Sequence, residues 1–432
     1  MTLNTSLPSH GRLVSRFQIF VWTLFDFANT SFSVIVVAVG YSLYFKDIVA
    51  GGSGRGDFFW GIAVSISMFL TALISPVLGA AADFSSRRKR FLFGFTIASI
   101  LCTALLYFVH EGMILTGMIL FIIANVGFEG GLVFYDAFLP TLTTERSYGR
   151  VSGYGFAMGY LGSLTTLIIA MPLYAGGFIS ENLPNVRISF VIAAAIFMLF
   201  SSPLFFFFRD HKVTFEHKPS YLLAGVQRVR ETIGHLKNYR NVARFLLAFF
   251  IYNDGILTVI SFASIFAQQS LNFTLKEIIF LFAIVQGSGI IGSIIFGVVT
   301  DKIGPKKTIN INLLMWLAIV TASFFVQTKE AFFVIGIFAG SCLGATQSAS
   351  RSLMALLTPK EREAEFFGFY DGLCGKASAV IGTFVFGLIS YAAGSQRLAI
   401  ISVALFFIAG FFLLQRVDDT RSALPQRALQ QN

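Results

Sequence analysis

The sequence has few charged residues and very few cysteines. Only 12% of its 432 residues are charged and 3 are cysteine, whereas about a quarter of the residues in soluble domains are charged. Cys102, Cys342 and Cys374 lie in apolar segments without metal-ligand spacing, and the 5 histidines form no i,i+4 pair. We therefore expect no disulfide framework and no metal site.

Nucleotide-binding signatures are also missing. The glycines of "GYGFAMGYLG" (153–162) lack the spacing of a dinucleotide fingerprint, no predicted strand precedes them, and they open an apolar helix. "AGGSGRGD" from Ala50 is not followed by Gly-Lys-Ser/Thr. The sequence thus predicts no cofactor, no direct use of ATP and no enzymatic activity.

Long apolar runs dominate what is present. Hydrophobic residues make up 55% of the chain and 51 residues are phenylalanine, and a membrane-spanning helix needs about 20 apolar residues. The first run lacks a small-residue cleavage site, so we expect it to be a retained helix and not a signal peptide. Twelve spans are predicted, at 17–45, 58–82, 91–110, 113–139, 151–176, 186–208, 243–270, 275–299, 307–327, 331–357, 365–393 and 396–416.

The net charge of +10 follows the predicted topology. Lysine and arginine fall on alternate loops, and cytoplasmic loops are enriched in both residues. We therefore expect both termini and the long middle loop to be cytoplasmic. The same distribution argues against a nucleic-acid partner and makes the lipid bilayer the expected partner.

The long middle loop divides the chain into two halves. We predict a six-helix bundle at 1–208, a cytoplasmic linker at 209–242, a second bundle at 243–416 and a cytoplasmic tail at 417–432. Within the linker, apolar residues recur at helical spacing, which predicts an amphipathic helix on the membrane surface. These residues are Leu222, Leu223, Val226, Val229, Ile233 and Leu236, with Arg228, Arg230 and Lys237 on other faces. The alternative is a solvated linker with incidental periodicity.

The two halves repeat each other in sequence. "GAAADFSSRRKR" from Gly79 matches "GVVTDKIGPKKT" from Gly297, and "DAFLPTLTTERSYGRVSGYG" from Asp136 aligns with "RSLMALLTPKEREAEFFGFY" from Arg351. More loosely, "DFAN" at Asp26 corresponds to "IYNDG" from Ile251. Duplicated six-span halves are the organisation of the major facilitator superfamily.

The repeated loop predicts a latch between helices. "GVVTDKIGPKK" resembles the signature loop of that superfamily, in which a small residue allows close helix packing and an aspartate can meet a helix N-terminus or an arginine. The first copy departs from the pattern after Asp83, so we expect a weaker latch there. The alternative is a solvated turn that only follows the charge bias of cytoplasmic loops. The predicted gating residues are Asp83, Arg87, Asp301, Lys302 and Arg351.

A narrower resemblance covers nearly the whole chain. The motifs "WTLFDFANTSF", "VFYDAFLPTL", "GRVSGYGFAMGYLG", "FFIYNDGILTV", "QSASRSLMALLTP" and "AEFFGFYDGLCGKASAVIG" are similar to the successive signatures of the vacuolar amino-acid effluxer family and its bacterial relatives. The resemblance implies a secondary transporter of all-α fold, with twelve transmembrane helices in two pseudo-symmetric six-helix bundles. We expect a monomer in a bacterial inner membrane. Asp136 stands where the family pattern has asparagine, and it adds a carboxylate.

Ionisable and amide side chains interrupt the spans. Such residues usually face a cavity or a partner, so each is a candidate functional residue. The proton-coupling candidates are Asp26, Glu129, Asp136 and Asp254. The substrate-cavity candidates are Asn29, Tyr135, Tyr252, Asn253, Asp371 and Lys376. In the superfamily that the sequence resembles, spans one, four, seven and ten line the central cavity, and most candidates fall on them.

Helical spacing predicts some side-chain contacts. Asp26 and Asn29 share a helix face because they are three residues apart. Asp371 and Lys376 are five residues apart and poorly placed to pair. We therefore expect Lys376 to pair with a carboxylate on another helix, Asp254 or Asp26.

Glu129 is the carboxylate that we expect to carry a proton, because it lies deepest in its span. A carboxylate in a low-dielectric cavity changes protonation when a neighbouring cation approaches or leaves. Alternatives remain open for the other residues. Asp26 and Asp254 can instead bond backbone amides and hold helices together, and Asp136 and Arg351 can form a gating salt bridge.

These features together predict proton-coupled export of a small polar or zwitterionic solute by alternating access. The export direction and the amino-acid substrate class rest on the resemblance. Two alternatives stay open: an exporter of amphipathic drugs or siderophore-like metabolites, and a non-transporting receptor or lipid-handling protein.

Overall fold

The computed structural model describes residues 15–208, 221–393 and 395–418. These residues form helices and contain no strand. Twelve of the helices are long and apolar enough to cross a membrane. In chain order they are Arg16–Val49, Gly54–Ser85, Arg88–Phe108, Ile114–Leu142, Glu145–Tyr174, Leu183–Phe207, Lys237–Leu271, Lys276–Ile303, Pro305–Phe325, Lys329–Leu357, Glu363–Ala393 and Gln396–Gln415. The prediction of twelve spans is therefore confirmed, with ends that differ by a few residues.

The spans form two bundles that meet along two seams. Span 5 packs against spans 8 and 10, and span 2 packs against span 11. We call the side on which span 1 begins and span 12 ends the linker side, because the helix between spans 6 and 7 lies there. The hydrogen bonds that join the bundles lie on the linker side and near the middle of the spans.

Glycines allow close backbone contact at both seams. A β-carbon at Gly153 would lie 2.3 Å from the Ser293 carbonyl oxygen, and one at Gly79 would lie 2.1 Å from the Ala364 carbonyl oxygen. Real β-carbons do not approach an oxygen so closely. The bundles can therefore meet in this way only where these positions are glycine.

Two spans contain π-helical turns. Span 1 becomes a π-helix at Ser33–Val39 and again at Phe45–Val49. Span 11 is π-helical at Gly368–Cys374 and α-helical from Ala379 to Ala393. Such widened turns often mark functional sites or hinges, and in span 11 the widened turn contains Asp371.

The linker contains a helix at Tyr221–Gly234, within the segment where the sequence predicts one. Gly225 lies against span 2, and a β-carbon there would lie 2.5 Å from the Val77 carbonyl oxygen. Leu223, Val226 and Ile233 are exposed, as expected for a face turned towards lipid. The side chains of Leu222 and Leu236, and residues 209–220, lie outside the described part of the chain.

Candidate functional site

The predicted latch at Asp301 joins spans 8 and 5. The Asp301 carboxylate accepts hydrogen bonds from the backbone N–H groups of Gly149 and Arg150 at 2.9 and 3.3 Å, and from Arg150 Nε at 3.0 Å. Unpaired N–H groups at a helix start favour a carboxylate. Asp301 therefore meets both partners that the sequence allowed, a helix N-terminus and an arginine. Lys302 is exposed beside it.

The second copy of the latch, at Asp83, joins spans 2 and 11. Asp83 accepts from the backbone N–H groups of Ala364 and Glu365 at 3.1 and 2.8 Å. Arg88 Nε donates to Asp83 at 2.7 Å, and Arg88 also pairs with Glu363. The sequence predicts a weaker latch here, yet Asp83 contacts a helix N-terminus and an arginine, as Asp301 does.

Arg88, which is not among the predicted gating residues, bonds to Asp83. Ser86 adopts a left-handed backbone conformation with a φ of 52°, and span 3 begins at Arg88. The turn therefore brings the first residue of span 3 back to Asp83. Arg88, Lys89 and Arg90 follow Arg87 directly, so the sequence alone does not indicate which basic side chain contacts Asp83.

The linker helix also contacts the seam between spans 2 and 11. Arg228 Nε lies 3.1 Å from Glu365 Oε2, and the Thr232 hydroxyl donates to Glu365. Arg362 donates to Thr232 at 3.0 Å. Because Gly225 packs on span 2 while these bonds reach the start of span 11, the helix ties the two bundles together. Sequence periodicity finds the helix but not these polar contacts.

Arg351 forms the centre of a buried cluster in the linker-side half of the spans. Its guanidinium donates to Asp136 at 2.7 Å and lies 3.5 Å from Asp26, and it donates to the hydroxyl and carbonyl oxygens of Ser152 at 2.9 and 2.8 Å. It also stacks near Phe156, 4.1 Å from the ring centroid. A planar guanidinium with five donors suits such a multiple contact.

Asp26 is the second carboxylate on this arginine. Tyr135 donates its hydroxyl proton to Asp26 at 2.7 Å, and Asn29 donates to the other Asp26 oxygen at 3.5 Å. Trp22 donates to the Tyr135 carbonyl oxygen and stacks on the Tyr135 ring. Span 1 thus contributes the Asp26 carboxylate and the Asn29 amide on one helix face, as their three-residue spacing predicts.

Span 11 also brings charged side chains to span 4 of the first bundle. Its π-helical turn, which contains Asp371, packs against the span 4 helix that ends at Asp136. Near the middle of the same two spans, the Lys376 ammonium pairs with Glu129 Oε2. The structure thus shows two separate charged groups between the bundles, Arg351 with Asp26 and Asp136, and Lys376 with Glu129.

The expectation that Lys376 pairs with Asp254 or Asp26 is wrong. Asp26 is occupied by Tyr135 and Arg351, and both Asp254 oxygens accept from a backbone N–H group. The expectation assumed a regular helix in span 11. The π-helical turn before Lys376 rotates the residues after it, and the ammonium reaches Glu129 on span 4.

Asp254 and Asn253 of span 7 bond to span 11 beyond its π-helical turn. Asp254 Oδ1 and Oδ2 accept from the Gly382 N–H at 2.8 and 2.9 Å. Asn253 donates to the Ser378 hydroxyl at 2.7 Å, and the neighbouring Tyr252 hydroxyl lies 2.7 Å from the Ser350 hydroxyl. Asp254 is thus placed as the helix-holding alternative requires. No group of His, Cys, Asp or Glu in the described ranges could hold a metal ion.

Comparison with known proteins identifies the family. The family described as "Vacuole effluxer Atg22 like" matches residues 58–149 and 143–426. The chain belongs to this Atg22-like family. YxiO, an uncharacterised MFS-type transporter of Bacillus subtilis, is 27% identical to the chain over 409 residues, or 93% of this chain and 95% of YxiO.

Other comparisons place the Atg22-like chain more broadly. Autophagy-related protein 22 of Kluyveromyces lactis is 24% identical over 395 residues, which are 84% of this chain and 80% of that protein. The solved structure of the Escherichia coli fucose:proton symporter FucP matches with a TM-score of 0.71 at 16% identity, covering 93% of this chain and 98% of FucP. The chain is therefore a multi-pass membrane transporter of the major facilitator superfamily, and the predicted fold is confirmed.

Proposed function

We propose that this transporter exports a small zwitterionic solute, an amino acid or a related metabolite, in exchange for protons. The observation that supports this most is the ion pair between Glu129 and Lys376, which joins the two bundles near the middle of the spans. Both side chains keep some exposure, 10% for Glu129 and 19% for Lys376. A solute in a central cavity could therefore reach them.

A zwitterion can take the place of each partner in this pair. Its ammonium group would bind Glu129 and its carboxylate would bind Lys376, so that neither buried charge loses a partner. A solute with one charge would leave the other side chain unpaired, which is costly in a low-dielectric site. The pair therefore favours solutes that carry both charges.

The other predicted cavity residues support this site in two ways. Asn29, Asn253 and Asp371 add polar groups to spans 1, 7 and 11. Tyr135 and Tyr252 are fully buried, so in this conformation they hold their hydrogen-bond partners and do not touch a solute.

Proton coupling is proposed because carboxyl groups outnumber cations in the cluster. Of the four predicted candidates, Asp26 and Asp136 pair with Arg351, and Glu129 pairs with Lys376. Asp254 accepts a hydrogen bond from a backbone N–H group. Export is proposed from the effluxer description of the family. It also requires the linker side to be cytoplasmic, as the distribution of lysine and arginine predicts.

Counterflow in liposomes tests the substrate class. Purified protein is reconstituted, and the exchange of radiolabelled amino acids, peptides and organic acids is measured with and without a pH gradient. We expect zwitterionic solutes to exchange, and exchange to fall at least about tenfold in Glu129→Gln and in Lys376→Gln, since a tenfold loss corresponds to only about 1.4 kcal/mol of binding.

Glu277→Gln is the matched control. Glu277 also pairs with a lysine, Lys329 at 2.8 Å, but within the second bundle and at a partly exposed position. Exchange by this variant should equal that of the wild type. If no zwitterion exchanges, or if amphipathic cations exchange and the Glu129 and Lys376 variants behave like the control, the proposed substrate class is wrong.

A further inference from the structure

A buried amide side chain lies one helical turn from the Glu129–Lys376 pair. Asn125 and Glu129 are four residues apart in the regular helix Ile114–Asp136, so they share one face of span 4, about 6 Å apart along its axis. Asn125 is 1% exposed. Because span 4 begins opposite the linker side, Asn125 lies on the side of Glu129 that is further from the closed interface.

Span 2 holds the Asn125 side chain in one orientation. Asn125 Nδ2 donates to the Ser67 hydroxyl oxygen at 2.9 Å, and that hydroxyl donates its own proton to the Val64 carbonyl oxygen at 2.8 Å. Ser67 can therefore only accept from Asn125, since a hydroxyl has a single proton to donate. This places the amide nitrogen towards span 2, and Asn125 Oδ1 points away from Ser67.

Asn125 Oδ1 is an acceptor without a donor. It is buried, and it has no hydrogen-bond partner within the part of the chain that the structure describes. A buried polar atom that stays unpaired costs free energy, and the great majority of such atoms in proteins have a partner. Asn125 Oδ1 is thus free to accept a hydrogen bond from a bound molecule.

The Glu129–Lys376 pair lies next to this acceptor. The turn Gly375–Ala377, which carries Lys376, packs against span 2, the span that holds Asn125. Lys376 pairs with Glu129 on the face of span 4 that also carries Asn125. A solute whose ammonium group binds Glu129 therefore has an N–H donor one helical turn from Asn125 Oδ1.

We propose that Asn125 determines specificity for solutes with a primary ammonium group. This inference rests on the proposed function, because it assigns a second contact to the ammonium group that Glu129 binds. A primary ammonium group has three N–H donors, so it can bond to the Glu129 carboxylate and to Asn125 Oδ1 at once. A quaternary ammonium group has no N–H donor and leaves Asn125 Oδ1 unpaired.

The ion pairs alone do not distinguish these two kinds of solute. An amino acid and its N,N,N-trimethyl betaine carry the same positive and negative charges. A site that hydrogen-bonds a solute N–H rejects the analogue without that N–H far more strongly than an apolar pocket rejects a change in size. We therefore expect the wild type to exchange an amino acid at least about tenfold faster than its betaine.

Counterflow in liposomes measures this selectivity. Labelled alanine and leucine are compared with the N,N,N-trimethyl betaines of the same two amino acids. The ratio of the two rates is taken within each variant, so it does not depend on how much of the protein has folded. Asn125→Leu lacks the acceptor but is similar in volume, so it makes no extra room for the methyl groups. We expect it to lower the ratio at least about tenfold, through slower exchange of the amino acids.

Two variants serve as controls. Asn125→Asp keeps an acceptor oxygen and should keep the wild-type ratio. Asn312→Leu makes the same substitution at a buried asparagine of span 9 whose amide atoms also have no partner among the described residues. It should keep the wild-type ratio, because span 9 does not carry the ion pair.

The outcomes separate this inference from the proposed function. The role of Asn125 is overturned if the wild type exchanges betaines as fast as amino acids, or if Asn125→Leu keeps the wild-type ratio. In both cases the exchange of amino acids still supports the proposed function. An equal fall of the ratio in Asn312→Leu also overturns the role of Asn125, since the effect would then follow from any such loss of a buried amide. If none of the four solutes exchanges, the proposed substrate class and the role of Asn125 fail together.

Discussion

At the scale of single residues, Asp254 has a backbone partner, as the helix-holding alternative from the sequence requires. Its two oxygens accept from the Gly382 N–H in the first turn of the helix Ala379–Ala393. A carboxylate near a helix start stabilises that helix through the unpaired N–H groups and the helix dipole. The expected role of Asp254 is thus to hold the second part of span 11.

Substitution of Asp254 should affect stability and spare proton coupling. Asp254→Ala removes the acceptor and should lower the free energy of unfolding by about 1–2 kcal/mol, measured by thermal or denaturant unfolding in detergent. Asp254→Asn keeps one acceptor oxygen and should lose less. A proton role for Asp254 would show instead as a changed pH dependence of solute exchange in the asparagine variant at unchanged stability.

The sequence reveals which residues are unusual but not how they pair. Asp26, Glu129, Asp136, Arg351 and Lys376 stand out because each is ionisable within an apolar run. Their partners depend on the rotation of one span relative to another. In span 11 a π-helical turn changes that rotation, so the Lys376 contact could not be read from i,i+4 spacing.

At the scale of helices, the seam between spans 5 and 8 depends on the absence of side chains. A β-carbon at Gly153 would lie 2.3 Å from the Ser293 carbonyl oxygen, and the obstacle is backbone, which cannot rotate away. Separation of the bundles on the linker side would remove this contact. Gly153 therefore favours the closed conformation by allowing close contact.

Gly153→Ala should shift the transporter towards linker-side opening. We expect amide protection at Gly149 to fall at least about tenfold at pH 6, because the added methyl group blocks closure but not helix formation. Gly94→Ala is the matched control, since Gly94 lies in the helix Arg88–Leu105 and a β-carbon there meets nothing within 4 Å. Equal protection in the two variants would contradict the proposed importance of the seam.

The linker helix shows a different limit of prediction at this scale. Its periodicity predicted a helix, and Leu223, Val226 and Ile233 form an exposed apolar face. The opposite face holds Arg228 and Thr232 against Glu365. These polar residues look unremarkable in the sequence, because their function depends on a helix start almost 140 positions away.

At the scale of the whole molecule, the fold could be predicted because its signals are long and repeated. Each span is an apolar run of the length that a bilayer requires, and the two halves carry matching loops. The closed state of the linker side could not be predicted, because both states of a rocking transporter are compatible with the same spans. The contacts that join the bundles on the linker side, among them those at Asp83, Asp301 and Arg351, distinguish them.

The orientation in the membrane is testable with two single cysteines. Gly54, at the start of span 2 opposite the linker side, has room for a side chain, and Gln227 is an exposed residue of the linker helix. A membrane-impermeant maleimide should label Gly54→Cys in intact cells and Gln227→Cys only after permeabilisation. The reverse pattern would place the linker side outside and reverse the proposed direction of export. Unsubstituted protein gives the background from Cys102 and Cys374.

The two latches have the geometry of an isologous dimer interface. In such an interface, patch a of one subunit contacts patch b of the other, and b contacts a in return. Here the aspartate in the last turn of span 2 caps span 11, the fifth span of the second half. The aspartate in the last turn of span 8 caps span 5, the fifth of the first half. A six-span ancestor with one such aspartate and one such helix start would have dimerised with both bonds in place. Fusion of its duplicated copies would have needed only a linker, and the two bonds could diverge afterwards.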